Sequence, residues 1–164
     1  MMRNESRKIA LGGMMAALAM VIMNLGGLIP IATFVCPMLC MLLLAFVKRI
    51  CGNRISWAWY GAVAILSLLM GPDKEAASVF LFLGFYPIIK PWFDNLRFSL
   101  IPKLLLFNVL ILTMYWLLLN LIGMDALAAE FEEMGQVLTI LMLAIGNLIF
   151  YLLDISLSRF ARFR

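Results

Sequence analysis

Apolar residues gather in six long stretches, Ile9 to Ile29, Ala32 to Val47, Ile55 to Met70, Ala76 to Ile89, Leu104 to Ile122 and Val137 to Leu157, separated by short segments rich in charge, Gly or Pro. The first, fifth and sixth have the length of roughly 20 residues with which an α-helix crosses hydrocarbon, and the middle three are shorter. Short helices in a small bundle are accommodated by local thinning of the bilayer or by loops that shelter their ends. The third stretch stops at Gly71-Pro72-Asp73-Lys74-Glu75, where a proline and three charges break helix and hydrophobicity together. Pro91 to Pro102, in which Trp92, Phe93, Phe98 and Leu100 are interleaved with Asp94 and Arg97, has the character of a segment lying in the membrane interface.

Charge orders these stretches. Twelve of the 13 Lys and Arg residues occupy alternate segments: Arg3, Arg7 and Lys8; Lys48, Arg49 and Arg54; Lys90, Arg97 and Lys103; Arg159, Arg162 and Arg164. The intervening segments hold only Lys74, with six of the nine acids, Asp73, Glu75, Asp125, Glu130, Glu132 and Glu133. Basic residues stay on the cytoplasmic side, so the pattern predicts an all-α integral membrane protein of the cell membrane: a compact six-helix bundle forming one transmembrane domain over residues 1–164, both termini inside. Merging the third and fourth stretches would place Arg159, Arg162 and Arg164 outside and sink Asp73, Lys74 and Glu75 into the core.

Composition agrees. With 65% hydrophobic residues, 13% charged residues and a mean hydropathy of +1.05, the chain has more apolar surface than a soluble domain of 164 residues can cover. The net charge of +4 points to anionic lipid headgroups rather than nucleic acid, because the basic residues sit at membrane edges. Ile9 to Ile29 follows a basic start but is about twice a signal-peptide core in length and lacks a small-x-small cleavage site, so a retained helix is expected, with no separate extracytoplasmic domain. Cys36, Cys40 and Cys51 make no disulfide framework. Cys36 and Cys40 lie one turn apart, but without His or a second thiol pair the expectation is packing, with no metal or cofactor.

Candidate chemistry is sparse. Ala10, Gly13 and Ala17, and beside them Gly12, Ala16 and Ala19, make two adjoining faces of the first helix nearly smooth; Ala58, Gly61 and Ala62 repeat the feature in the third. Small residues let helices approach closely in lipid, which fits packing within this chain, and the Ala10, Gly13 and Ala17 face also fits docking to a second membrane protein. Asn24, Asn120, Tyr115 and Trp116 fall in the outer part of their helices, with Gln136 and Thr139 at the outer start of the sixth and Thr33 near the start of the second. Each embedded Asn is expected to bond a neighbouring helix; together the outer group fits a cavity for a small ligand, with Lys74 as partner for a carboxylate or phosphate. Asp154 is expected to pair with Arg159, about one turn away. The chain has no P-loop, no His and no nucleophile elbow, so it is not expected to be an enzyme; nor does it carry a filter sequence of a channel.

The start Arg7-Lys8-Ile9-Ala10-Leu11-Gly12-Gly13-Met14-Met15-Ala16-Ala17-Leu18, the near-uncharged turn from Gly26 to Phe34, the short middle helices and the total length resemble the substrate-binding S components of energy-coupling factor (ECF) transporters, six-helix membrane proteins of bacteria that capture vitamins. The segments Leu83 to Lys90 and Lys103 to Asn108 look like those of uncharacterised membrane proteins of Gram-positive bacteria. The resemblance implies a capture subunit that binds a small water-soluble metabolite from outside; the ligand residues expected from their placement in the helices are Asn24, Lys74, Tyr115, Trp116, Asn120 and Gln136. It also implies docking through the first helix to a transmembrane coupling subunit that carries ATPase subunits. The vitamin-gripping acids and aromatics of that family have no recognisable set in this sequence. The alternative is a membrane scaffold or assembly factor whose smooth helices bind another protein and whose polar residues only hold the bundle together.

Overall fold

The computed structural model describes residues 2–26, 32–95, 99–122 and 125–162. They form α1 (Met2–Gly26), α2 (Ala32–Cys51), α3 (Asn53–Met70), α4 (Lys74–Leu83), α5 (Tyr86–Asp94), α6 (Leu100–Leu117), a π-helical segment (Leu118–Ile122) and α7 (Asp125–Arg162). No strand occurs among the described residues. Among the described residues, four segments are long and apolar enough to cross a membrane: Glu5–Leu25, Phe34–Cys51, Lys74–Asp94 and Leu100–Asn120. This is an all-helical membrane protein. Its chain divides into two compact units, Met1–Asn95 and Leu96–Arg164.

The first unit is organised around α2, which packs on α1, α3, α4 and α5. Its buried stripe, Cys36, Cys40, Leu44, Val47 and Cys51, advances by three or four residues at each step, the spacing that keeps one helical face against its neighbours. All three cysteines lie on that stripe and act as small apolar fillers; the Cys40 thiol donates to the Ala19 carbonyl of α1 at 3.6 Å, and Cys51 to that of Lys8 at 3.3 Å. Segment Lys74–Asp94 is 67% buried against 17% for Glu5–Leu25, so α4–α5 is the inner element of the unit and α1 its least covered helix.

The breaks between these helices follow from single residues. Gly52 alone separates α2 from α3, at φ 89°, a conformation that costs a side-chain-bearing residue roughly 1 kcal/mol or more. Its carbonyl accepts from the Ser56 amide and hydroxyl at 3.2 and 2.8 Å, which starts α3. The basic cluster Lys48 to Arg54 is thus helical on both sides of one glycine. At the opposite end of α3, a Cβ on Gly71 would fall 2.3 Å from the Ser67 carbonyl oxygen, so the tight exit requires glycine. Asp73 then caps α4 by accepting from the Ala76 amide at 3.0 Å.

The fourth apolar stretch is two helices, because Gly84 and Phe85 interrupt it and Pro87 lacks the amide that would bond the Leu83 carbonyl. Two side chains from other helices secure the joint. The Tyr60 hydroxyl of α3 donates to the Leu81 carbonyl, and the Lys48 ammonium of α2 donates to the carbonyls of Pro87 and Ile88 at 3.0 and 2.9 Å. Tyr60 also meets Phe80 and Phe85, with ring centroids 5.9 and 6.1 Å away. These contacts gather Lys8, Lys48, Arg54 and Lys90 toward one end of the unit, while the turn holding Asp73, Lys74 and Glu75 closes the other. Of the interval Pro91 to Pro102, residues up to Asp94 complete α5 and those from Leu100 begin α6; 96–98 lie outside the described residues.

The second unit is an antiparallel hairpin of α6 and α7, stitched by three layers. Lys103 pairs with Asp154 at 3.2 Å, Phe107 stacks on Phe150 with centroids 4.7 Å apart, and Asn108 and Asn147 exchange two amide hydrogen bonds at 2.9 and 3.0 Å. Gly146 lies beside the Phe107 ring, which a Cβ there would meet at an ordinary contact distance of 3.5 Å. The partner of Asp154 is therefore Lys103 on the facing helix rather than Arg159, which is exposed: a carboxylate turned inward finds its cation across the interface. The sixth helix also starts earlier than its apolar stretch, at Asp125, and its 38 residues span about 57 Å, well beyond a hydrocarbon core of about 30 Å. The acidic interval before Val137 is thus the first part of this helix, with Asp125 in its first turn, where negative charge is favourable.

Candidate functional site

The two smooth faces of α1 have different fates. Gly12 and Ala19 are buried in the unit: a Cβ on Gly12 would stand 3.7 Å from the Ile55 side chain of α3, and Ala19 is fully buried beside Cys40. Ala10, Gly13 and Ala17 are exposed, and a Cβ on Gly13 would meet nothing within 4 Å. Internal packing thus uses one face and leaves the other uncovered within the described residues. Between α1 and α3, parallel neighbours joined through α2, runs a groove of about 600 Å³. Its walls include Gly12, Gly13 and Ala16 on one side and Ile55, Ala58 and Ala62 on the other; Glu5, Lys8 and Arg54 stand at its basic end.

Trp59 lines the same groove while packing edge-on against Phe80, with centroids 6.4 Å apart. It is 4% exposed, and its indole N–H is the one buried side-chain polar atom without a hydrogen-bond partner among the described residues. Nothing in the sequence singles out this residue. The aromatic run Trp57-Ala58-Trp59-Tyr60 beside the small residues of α3 is the only signal, and it reads equally as core.

The expected ligand residues are distributed over both units. In the first, Asn24 is exposed and donates to the Met20 carbonyl of its own helix at 2.8 Å, rather than to a neighbour. Lys74, exposed, donates to the Leu68 carbonyl at 2.8 Å. That carbonyl would be served in a continuing helix by the amide of residue 72, which is proline, so Lys74 finishes α3 in place of the missing N–H. In the second unit, Tyr115 is half-buried and Trp116 is 65% exposed. Asn120 donates to the Trp116 carbonyl at 2.8 Å. These three lie where α6 passes into the π-helical turn, a local widening that recurs at functional positions in helices. The side chains of Gln136, Thr139 and Thr33 lie outside the described residues, as does much of the turn from Gly26 to Phe34. The expectation of interhelical amide bonding holds for Asn108 and Asn147.

Comparison of the chain with known protein families, with curated proteins and with solved structures finds no match in any of the three.

Proposed function

We propose that this protein is the substrate-capture subunit of an ECF-type uptake transporter. In this reading it crosses the cell membrane six times with both termini in the cytoplasm, binds a small water-soluble vitamin or metabolite from outside, and docks to a transmembrane coupling subunit whose ATPases supply the energy. The observation that supports it best is the division of labour on α1. Gly12 and Ala19 of one small-residue face are buried against α3 and α2, and the adjoining face, Ala10, Gly13 and Ala17, stays open on the least covered helix of its unit. In lipid, where no hydrophobic force drives helices together, an open strip without side chains is what a second helix needs for close approach. The absence of a P-loop fits a subunit driven by another chain.

A scaffold or assembly role is the second reading, and specific observations favour it. Lys74 is engaged in ending α3, and Asn24 and Asn120 bond their own helices, so three of the six proposed ligand residues already have structural work. Binding separates the two readings. Purified protein is screened by thermal shift against water-soluble vitamins and related metabolites, each acidic compound beside its neutral analogue. Capture predicts a hit whose stabilisation weakens in Lys74→Ala more for the acid than for the analogue. A scaffold yields no hit.

A further inference from the structure

A groove in the membrane-spanning part of a protein does not stay empty. Its apolar walls exclude water, and packing is lost along any surface without a partner. The groove between α1 and α3 extends along α1 from Glu5 to Ala16, about 16 Å of helix, close to the depth of one bilayer leaflet. At its deep part the walls are Gly12, Ala16, Ala58 and Ala62, which leave a channel with few protruding side chains. At its mouth Lys8 and Arg54 outnumber Glu5. The Trp59 ring adds to the apolar wall, with its indole N–H enclosed in the unit.

We infer that this groove seats one anionic phospholipid from the leaflet on the basic side of the protein. The phosphate of the headgroup meets Lys8 and Arg54, and an acyl chain lies along the small residues. Charge complementarity selects the occupant: an apolar helix from another protein would fill the walls but give the two cations nothing, whereas an anionic lipid satisfies walls and cations together. The inference depends on the membrane placement of α1 and not on transport, so it stands or falls separately from the capture reading.

The test is native mass spectrometry of the full chain in detergent, titrated with dioleoyl phosphatidylglycerol or dioleoyl phosphatidylcholine. Wild type is expected to prefer the anionic lipid by about tenfold, the scale set by one or two basic residues at a lipid surface. Lys8→Ala with Arg54→Ala should bring the two lipids level, and Ala58→Leu with Ala62→Leu should weaken both. Since Lys8, Arg54, Ala58 and Ala62 are all exposed, the first two double variants should keep the wild-type melting temperature. Equal binding of the two lipids by wild type, or competition by millimolar glycerol phosphate as strong as by the lipid, would overturn the assignment. So would unchanged binding in the bulky double variant, which would move the lipid off the groove.

Discussion

The Lys48 ammonium stands 3.0 Å from the carbonyl oxygen of Pro87, a group that the helix itself cannot satisfy, because the residue four positions on is Pro91 and has no N–H. The same relation recurs at Lys74 and Leu68, where Pro72 is the missing donor. An unsatisfied carbonyl in hydrocarbon costs several kcal/mol, so a proline-containing helix at membrane depth needs a donor from elsewhere. In this chain two lysines supply it. Part of the positive charge at the membrane edges is therefore structural as well as topological.

Lys48→Met should lower the stability of the purified protein by about 1–3 kcal/mol, the range for a buried acceptor left without its partner. Pro91→Ala restores an N–H within reach of the Pro87 carbonyl, so the same Lys48→Met change should cost clearly less in the Pro91→Ala background. Denaturation of the four proteins of this cycle in mixed micelles reads the coupling. Strict additivity would mean that the lysine does not serve this carbonyl.

Two polar layers of the α6–α7 hairpin should respond differently. Breaking the Lys103–Asp154 pair by Asp154→Leu leaves a buried cation and should cost about 3–5 kcal/mol, whereas Lys103→Met with Asp154→Leu should recover most of that loss. Asn108→Leu or Asn147→Leu should cost about 1–2 kcal/mol, with a smaller penalty for the double change than for the sum. Unfolding of both series by the same assay gives the comparison. Equal costs in the two layers would contradict the assignment of Lys103 and Asp154 as a paired charge.

The alternation of basic segments predicts which sites face outward. In a background without native cysteines, Ser6→Cys, Asp125→Cys and Arg162→Cys are labelled in intact cells with a membrane-impermeant reagent. Only position 125 should react. External labelling at position 162 would show an odd number of crossings.

Much of the helical layout was legible in the sequence because lipid imposes it: each long apolar stretch had to be helical, and Gly-Pro-Asp at 71–73 had to end one. The stretch over Ala76 to Ile89 was legible as an apolar element but not as two helices, since a joint at Gly84 and Phe85 survives only with Tyr60 and Lys48 to hold it, contacts made across sequence separations of 21 and 39 residues. The early start of α7 at Asp125 was hidden for another reason: hydropathy marks where a helix enters hydrocarbon, not where it begins. For the site, small residues announced both faces of α1, but a helix of alanines and glycines does not say which face its neighbours take. Only Gly12 against Ile55 and Ala19 against Cys40 decide that. Asn24, Asn108, Asn120 and Asn147 carried the same signal and each donates to a carbonyl one turn back in its own helix, yet Asn108 and Asn147 also bond each other, because α6 and α7 face one another there.

The most direct measurement bears on the open face of α1. Tagged wild-type protein, Ala17→Trp and Ala19→Trp are purified from membranes in mild detergent, and the co-purifying proteins are quantified by mass spectrometry beside the melting temperature of each variant. Ala17 is exposed and Ala19 fully buried, so Ala17→Trp should keep the wild-type melting temperature while Ala19→Trp loses several kcal/mol to overpacking. The account predicts that wild type brings down one membrane-embedded partner together with P-loop ATPase subunits, and that Ala17→Trp, still folded, loses that set at least tenfold. Retention of the same partners by a folded Ala17→Trp, or a wild-type protein that recovers no ATPase-bearing complex, would contradict it.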